Sequence, residues 1–515
     1  MATHQRAKIC LSILAGALCA SAFAAEQRHV VIVVWDGMRP DFVSEENTPT
    51  LSKLAQRGVT FQKHHSVYPS ATIVNGTAIN TGVYPNHSGI LANHDYLPAI
   101  SAKKSIDVEN VAVVRKGDEL SGGKYLGVPT IAELIQKNGG KSVIATAKTV
   151  GLLFDRRREA RAGRDIFAGE SLPPDAIDSI LKTVGVFPPA MQPADRDSWT
   201  MKALTDVLWR DGVPEFSLLW LSEPDDTEHR TAPGAPAALA AIKSSDDNLA
   251  RVLAALDRAD PKSTTDIFVV SDHGFSTISR SIDVRKILRD AGFDAVTDFA
   301  SEPKAGQIMI VGNGGTVLFY VIGHDAVITR RLVEFLQQTD FAGVIFTREK
   351  TDGTFTLEQA KIDNERAPDV EMSFRWNANK NQFGVPGMMD GDWQRGAGKG
   401  THATLSKFDM HNVLIAAGPD FKNGLTSDLP SGNVDLAPTT LHLLGIASYP
   451  YNMDGRVLRE AMANIDKNPR LEPETETMEG TKRFSNGSWR QYLRVSRVGS
   501  TVYFDEGNGA FQPQP

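Results

Sequence analysis

The sequence predicts an α/β fold in which a central, mostly parallel sheet is sandwiched by helices. Apolar runs without polar alternation occur at 30–35, 216–221 and 266–270, as expected of strands covered on both faces. The segment 236–259 lies between two of these runs and has the apolar spacing of an amphipathic helix. Strands that alternate with helices in this way favour a layered fold with a parallel sheet.

Composition sets the broad class of the protein. The length of 515 residues suits one large α/β domain with insertions, or two to three domains at about 100–200 residues each. Hydrophobic residues make up 41% and charged residues 23%, which is ordinary for a globular protein with a large core. The formal net charge of −7 gives no basic excess, so a nucleic acid polymer is not an expected partner.

The first 24 residues have the pattern of a secretory signal peptide. Arg6 and Lys8 precede an apolar run, and the small-x-small triplet at 22–24 marks a cleavage site. The run is too short for a good membrane span, so we expect an exported protein, periplasmic or secreted, without a stable membrane anchor; a retained N-terminal anchor is the alternative. Cys10 and Cys19, the only cysteines, would leave with this segment, which excludes thiol catalysis and cysteine-ligated metal.

The rest of the chain is expected to consist of a core and two additions. The core is predicted over 25–275 and 400–468. Between its parts, 276–399 combines short strands, a helix-like segment and Gly/Asn-rich turns, which predicts an inserted α+β subdomain. The segment 469–515 is predicted to form an acidic linker and a C-terminal β-hairpin that turns near Gly499. No oligomeric state is predicted.

Shorter elements follow from local signals. Thr48 and Pro49 are a cap and a first-turn proline, and Gly58 closes the helix that they open. Within the insertion, 316–322 reads as a strand and 327–338 as a helix. Core-like sequence then returns as a strand over 411–421 and a helix over 433–446.

Polar side chains follow the ends of the buried-type strands. Ligands of open α/β sheets bind beyond the carboxyl ends of the strands, so these side chains are expected to meet. Three carboxylates and three imidazoles are a ligand set for two borderline divalent cations, with zinc favoured. Alone, an aspartate at a strand end is more often a cap, but several uncompensated carboxylates at one edge would be costly without a metal. The set comprises Asp36, Asp225, His229, Asp272, His273 and His402.

A nucleophile is expected near these ligands. Thr72 lies in a small-residue turn before a predicted helix, where backbone N–H groups favour an anion. Its hydroxyl is a poor nucleophile unless a base or a metal deprotonates it. The alternative is that Thr72 only caps the helix.

Several motifs resemble the alkaline phosphatase superfamily, most closely its nucleotide pyrophosphatase/phosphodiesterase branch. The resemblance rests on DGxRPD at Asp36, on PSxTxxN to GIxxN between Pro69 and Asn93, and on four later motifs. Those four are EPDxxxH at Asp225 and His229, SDHG at Asp272 and His273, GxH at His402, and VDxxPTxLxLLG over 434–445.

The resemblance implies an alkaline-phosphatase-like fold, two Zn²⁺ per chain and hydrolysis of a small phosphate ester. One zinc would be held by Asp225, His229 and His402. The other would be held by Asp36, Thr72, Asp272 and His273. Thr72 would become transiently phosphorylated, and Asn93 would hydrogen-bond a non-bridging oxygen of the transferred group.

The type of ester is predicted less directly. Two zinc ions would nearly neutralise three aspartates and a threonine alkoxide, which favours a diester monoanion over a dianion. Lys148 resembles the first lysine of the TAKxK segment of phosphonoacetate hydrolases, and is a candidate to bind a monoester or phosphonate; a solvated surface lysine is the alternative. Ile73 and Glu228 depart from the nucleotide branch, which has an aromatic residue and a glycine there.

Two further classes are weighed against the phosphodiesterase. A sulfatase needs a formylglycine made from Cys or Ser in a CxPxR-type motif, which the mature chain lacks. A non-catalytic binding protein with the same fold would show a missing ligand or nucleophile, and none of the seven metal-site positions is substituted. An enzyme that hydrolyses phosphoric ester bonds is therefore the prediction.

Overall fold

The computed structural model describes residues 28–156, 163–447, 451–464 and 471–514. The predicted signal peptide, 1–24, lies outside the described residues. Within them, no helix combines the length and the apolar character needed to cross a bilayer.

Strands, α-helices and shorter helical turns follow one another along the described chain. The strands are β1 (His29–Trp35), β2 (Val59–Phe61), β3 (His64–His65), β4 (His94–Asp95), β5 (Ile106–Asp107), β6 (Ser142–Thr146), β7 (Gly163–Phe167), β8 (Glu170–Leu172), β9 (Phe216–Leu221), β10 (Thr265–Val270), β11 (Ser276–Ser281), β12 (Ala295–Val296), β13 (Ile308–Gly312), β14 (Thr316–Val321), β15 (Ala342–Thr347), β16 (Phe355–Thr356), β17 (Val370–Phe374), β18 (Trp376–Lys380), β19 (Pro386–Gly391), β20 (Gly400–Thr401), β21 (Leu414–Ala417), β22 (Leu425–Ser427), β23 (Ser431–Gly432), β24 (Glu474–Phe484), β25 (Gly487–Val498) and β26 (Thr501–Pro513). The α-helices are α1 (Pro49–Gln56), α2 (Thr72–Thr81), α3 (Pro85–Ser88), α4 (Val111–Ser121), α5 (Ile131–Lys137), α6 (Ala176–Val184), α7 (Pro193–Lys202), α8 (Asp225–Arg230), α9 (Pro236–Ala259), α10 (Val284–Asp290), α11 (Ala326–Leu336), α12 (Lys407–Met410) and α13 (Leu436–Leu443). Short 3-10 or π turns lie at Pro40–Phe42, Thr149–Leu153, Ala203–Leu208, Asn433–Asp435 and Arg459–Ala461.

The central sheet has nine strands in the order β22-β2-β21-β10-β1-β9-β6-β7-β8. Its middle strands, β10, β1, β9, β6 and β7, run parallel, and antiparallel pairs occur toward both edges. The three apolar runs in the sequence are β1, β9 and β10, which are neighbours in this sheet. The structure therefore confirms the predicted α/β fold.

The uninterrupted apolar run of β1 follows from its position between two cores. Val30, Ile32 and Val34 face one hydrophobic cluster, to which α2 and α13 contribute. The alternate residues, Val31, Val33 and Trp35, face a second cluster that includes residues of α9. Because successive side chains of a strand point to opposite faces, both sets must be apolar.

The predicted insertion contains a six-stranded sheet in the order β12-β13-β14-β17-β15-β16. Its predicted strand and helix are β14 and α11, and α10 and α11 contribute to its hydrophobic cluster. A second sheet, β18-β19-β11-β20, joins this region to the core. The chain re-enters the core through β20, directly before His402.

The prediction for the C-terminal segment is wrong in one respect. The turn near Gly499 joins β25 to β26, but β24 pairs along its whole length with β25, so 474–484 is a strand and not a linker. Most residues of β24 are exposed, and the segment is acidic and polar. This composition is typical of a linker, which explains the wrong prediction. Backbone pairing and cross-strand ion pairs such as Glu476 with Arg497 stabilise the strand instead of burial.

We expect Trp489→Ala to lower the free energy of unfolding by about 3–5 kcal/mol. Trp489 of β25 is fully buried in the hydrophobic cluster of the inserted sheet, and its indole N–H donates to the Gly353 carbonyl at 3.0 Å. The measurement is a denaturant titration, with Phe383→Ala as control because Phe383 is exposed. A loss equal to that of the control would show that the C-terminal sheet contributes little to stability.

Candidate active site

The three aspartates meet because they follow three neighbouring parallel strands. Asp36 follows β1, Asp272 lies two residues beyond β10, and Asp225 begins α8 after β9. The backbone fixes their spacing, since the Asp225 N–H donates to the Asp36 carbonyl at 3.1 Å. The Gly37 N–H donates to Oδ1 of Asp272 at 3.0 Å. The carboxyl edge of the sheet therefore gathers carboxylates from distant parts of the chain.

Asp225, His229 and His402 form one candidate metal-binding group. Asp225 and His229 are four residues apart on α8, so both side chains lie on one face of the helix. Oδ1 of Asp225 lies 3.2 Å from Nε2 of His229 and 3.6 Å from Nε2 of His402.

Asp36, Asp225 and His273 form a second candidate group. Nε2 of His273 lies 3.5 Å from Oδ1 of Asp36 and 3.2 Å from Oδ2 of Asp272. The His273 ring stacks on the His402 ring with 3.6 Å between centroids. The two groups are therefore adjacent and share Asp225.

Backbone carbonyls orient the three imidazoles. Nδ1 of His229 lies 3.0 Å from the Gly400 carbonyl oxygen. Nδ1 of His273 lies 2.9 Å from the Gly274 carbonyl oxygen, and Nδ1 of His402 lies 2.8 Å from that of Ser70. A carbonyl only accepts, so Nδ1 carries a proton, and in the neutral imidazole Nε2 then presents a lone pair to the site. Metal-ligating histidines are commonly oriented in this way.

Within the cluster of predicted ligands, three buried carboxylate oxygens have no hydrogen-bond donor among the described residues. They are Oδ1 of Asp36, Oδ1 of Asp225 and Oδ2 of Asp272. The short distance from Asp225 to His229 is not a hydrogen bond when the imidazole proton is on Nδ1. Leaving such oxygens without a donor is costly, and a divalent cation removes the cost. The residues present therefore fit bound metal.

Burial and mutual repulsion change the protonation of the cluster. Burial, together with the Asp272 charge, raises the pKa of Asp36 well above its usual range, and burial raises the pKa of Asp272 to about 7. Burial acts on Asp225 in the same direction, but the positive charges of His229, in its protonated form, and of Lys148 outweigh it and hold the pKa of Asp225 well below the usual range. Burial also lowers the pKa of His402, which favours the neutral imidazole that a metal requires.

Lys148 is part of this cluster and is not a solvated surface residue. It follows β6, the neighbour of β9 in the sheet. Its Nζ lies 2.9 Å from Oδ2 of Asp36 and 2.6 Å from Oδ2 of Asp225. The ammonium group therefore bridges two carboxylates that the sequence predicts as metal ligands.

Thr72 is the first residue of α2, and Ala71 occupies the N-cap position. Because Thr72 lies within the helix and not at the N-cap position, the capping alternative does not explain it. Its Oγ1 lies 3.2 Å from Nε2 of His273. The hydroxyl thus faces the ligand cluster at the positive end of a buried helix.

Asn93 lies beside Thr72 through the backbone of α2. Its Oδ1 accepts a hydrogen bond from the Ile73 N–H at 2.9 Å. This contact fixes the amide with Nδ2 as the free donor end, because no described residue is hydrogen-bonded to Nδ2. The amide can therefore donate to a group bound next to Oγ1 of Thr72.

Two residues that support the ligands were missed in the sequence. The indole N–H of Trp220, in β9, donates to Oδ2 of Asp36 at 2.9 Å. Asn433 donates from Nδ2 to the Asp272 carbonyl at 2.6 Å. Trp220 looks like an ordinary core residue of a buried strand, whereas Asn433 directly precedes the VDxxPT motif and could have been considered.

Comparison with known proteins gives phosphodiesterases and nucleotide pyrophosphatases among its matches. A family model described as type I phosphodiesterase / nucleotide pyrophosphatase matches residues 30–371. A venom phosphodiesterase of Macrovipera lebetinus is 23% identical over 467 residues, which are 88% of this chain and 48% of that protein. Human ectonucleotide pyrophosphatase/phosphodiesterase family member 5 is 20% identical over 440 residues, or 83% of this chain and 76% of that protein.

Solved structures show the same fold. Murine ectonucleotide pyrophosphatase/phosphodiesterase 5, as an inactive variant in complex with AMP, superposes with a TM-score of 0.58 at 18% identity, covering 85% of this chain and 100% of that one. The human protein gives a TM-score of 0.59 with the same identity and coverage. The chain spans about half the length of the venom phosphodiesterases that it matches.

We expect the protein dialysed against Zn²⁺ to retain two zinc ions per chain, and His229→Ala to retain about one. The substitution removes one of the three ligands in the Asp225, His229 and His402 group. Elemental analysis measures the content, with His87→Ala as control because the His87 side chain is half exposed and pairs with Asp454. Equal zinc content in the two variants would contradict the assignment of His229.

Proposed function

The chain belongs to the type I phosphodiesterase / nucleotide pyrophosphatase family, and from this premise we propose that it is an exported, two-zinc hydrolase of phosphoric esters. The observation that carries the proposal is the cluster of donorless buried carboxylate oxygens and Nε2 lone pairs next to the Thr72 hydroxyl. The proposal of export rests on the signal-peptide pattern in residues 1–24.

The first ligand set is one of the two groups in the site, and the second takes Asp36 and His273 from the other group and adds Asp272 and Thr72. We assign Asp225, His229 and His402 to one zinc, and Asp36, Thr72, Asp272 and His273 to the other. When bound, the two ions supply the positive charge that lowers the pKa of a hydroxyl or water and stabilises the leaving oxygen. Trp220 orients Asp36 through its hydrogen bond to Oδ2.

Thr72 is proposed as the nucleophile. Its ionised Oγ1 forms a bond to phosphorus while the bond to the leaving oxygen breaks, which gives a phosphothreonine and releases the first alcohol or phosphate product. Asn93 donates from Nδ2 to a non-bridging oxygen, and the N-terminus of α2 stabilises the negative charge on the transferred group. Water then attacks phosphorus, which releases the second product and restores the Thr72 hydroxyl.

Diesters are the proposed substrate class, with nucleotide esters as the first compounds to assay, because a relative is described in complex with AMP. One observation favours a second candidate, a monoester or a phosphonate. Lys148 places an additional cation against Asp36 and Asp225, and this charge could serve a dianionic substrate. Lys148 is therefore proposed as a substrate-binding residue whose effect depends on the charge of the ester.

We expect Thr72→Ala to abolish turnover while most of the zinc binding persists, because six other ligands remain. Thr72→Ser, which keeps a hydroxyl at the start of α2, is expected to retain part of the activity. The measurements are kcat with a chromogenic diester and the zinc content of each variant. Near-normal kcat in Thr72→Ala would remove Thr72 from the mechanism, and inactivity of the unmodified zinc-loaded protein would favour a binding protein.

We expect the unmodified enzyme to hydrolyse a diester faster than a monoester or phosphonoacetate. Lys148→Ala should lower kcat/KM for the dianionic compounds by at least about 10-fold more than for the diester, since a charge-assisted contact contributes about 1.5–3 kcal/mol. Lys141→Ala is the matched control, because Lys141 lies at the other end of the same strand and is exposed. A monoester preferred by orders of magnitude would overturn the diesterase proposal.

A further inference from the structure

The turn between β13 and β14 connects the inserted sheet to the candidate active site. We refer to residues 313–315, together with Thr316, the first residue of β14, as the β13–β14 turn. It touches two segments of the core, one that follows Asn93 and one that contains His402. These segments are separated by about 300 residues of chain, so a single rigid element in contact with both can fix their relative position.

Asn313 holds the residue next to Asn93 by both ends of its amide. The His94 N–H donates to Oδ1 of Asn313 at 2.8 Å, and Nδ2 of Asn313 donates to the His94 carbonyl at 3.0 Å. His94 begins β4, whose other side pairs with β5. The buried Asn313 side chain therefore hydrogen-bonds the backbone of β4, as a neighbouring strand would. These bonds fix the backbone directly after Asn93.

The same turn supports the backbone of His402. The Gly315 N–H donates to the His402 carbonyl at 2.8 Å, and the Thr316 hydroxyl donates to the Ala403 carbonyl at 2.6 Å. A Cβ at Gly315 would lie 2.5 Å from the His402 carbonyl oxygen. Only glycine allows this approach, because no side chain fits between the two backbones.

The turn is itself held from a third direction. Oδ2 of Asp392 accepts from the Gly314 N–H at 2.8 Å, and the Asp392 N–H donates to the Gly314 carbonyl at the same distance. Inside the turn, the Asn313 N–H donates to the Thr316 carbonyl at 2.8 Å. These hydrogen bonds restrain the turn, as a positioning element requires.

We propose that Asn313 is a positioning residue that acts through Asn93. By hydrogen-bonding the backbone of His94, it keeps the Asn93 amide in position to donate to a phosphoryl group bound at Thr72. The inference rests on the proposed function for its effect on catalysis. It also gives the insertion a role, which is to fix the geometry of the site in the core.

The test combines backbone exchange with a double-mutant cycle on the full zinc-loaded chain. Asn313→Ala should speed amide hydrogen exchange in the peptide that contains His94 and should lower kcat about 10-fold. Asn93→Ala alone should lower kcat by about 10²–10³. The kcat of the double variant should stay within about 2-fold of the kcat of Asn93→Ala. Asn313 acts through the Asn93 amide, so its loss has no further effect once that amide has been removed.

Asn364→Ala is the matched control. Asn364 is another asparagine of the insertion whose Nδ2 donates to a core carbonyl, that of Asn86, at 2.8 Å, outside the Asn93 segment. It should leave kcat and the exchange near His94 unchanged. If Asn313→Ala does not fold, Asn313→Asp, which keeps the acceptor for the His94 N–H, should show smaller changes of the same kind.

Two results would overturn the inference. One is unchanged exchange near His94 in the Asn313 variants, and the other is an additive effect of Asn313→Ala and Asn93→Ala on kcat. Failure of the proposed function gives a different result, because the unmodified zinc-loaded protein would then hydrolyse no phosphoric ester. The exchange measurement would still decide whether Asn313 clamps His94.

Discussion

The burial of three carboxylates at the ends of neighbouring parallel strands is the constraint on which the rest of the site depends. Each of Asp36, Asp225 and Asp272 is buried and has one oxygen without a donor among the described residues. Such an arrangement is stable only with compensating positive charge. Lys148 supplies part of that charge, and burial lowers the pKa of His273 and of His402, so that their neutral rings present lone pairs to a cation.

The surrounding structure fixes these groups in place. Backbone carbonyls set the tautomers of the three histidines, Trp220 and Gly37 each donate to one aspartate, and the N-terminus of α2 brings Thr72 against His273. Pre-organisation of this kind means that little has to move when charge develops in a reaction. It also explains why the ligands come from well-packed strand ends, whereas loops would leave them mobile.

The insertion contributes to the site without supplying a predicted ligand or nucleophile. Through the β13–β14 turn it contacts the segments of Asn93 and His402, and through β20 it returns the chain to His402. The C-terminal sheet packs in turn on the insertion through Trp489. Regions that look peripheral in the sequence are therefore linked to the site by continuous packing.

By itself, the sequence determined the α/β core, since β1, β9 and β10 are apolar on both faces and the carboxylates follow their ends. It also predicted the imidazoles and Thr72 as site residues and, through the family resemblance of its short motifs, Asn93; the structure brings these residues close together. Only the tertiary structure decided that Asp225 belongs to both candidate metal-binding groups, that Lys148 contacts two of the aspartates and that Asn313 binds His94. Contacts such as the last, 219 residues apart, leave no local pattern. The strand β24 was missed for a related reason, because cross-strand pairing stabilises it and its composition is that of a linker.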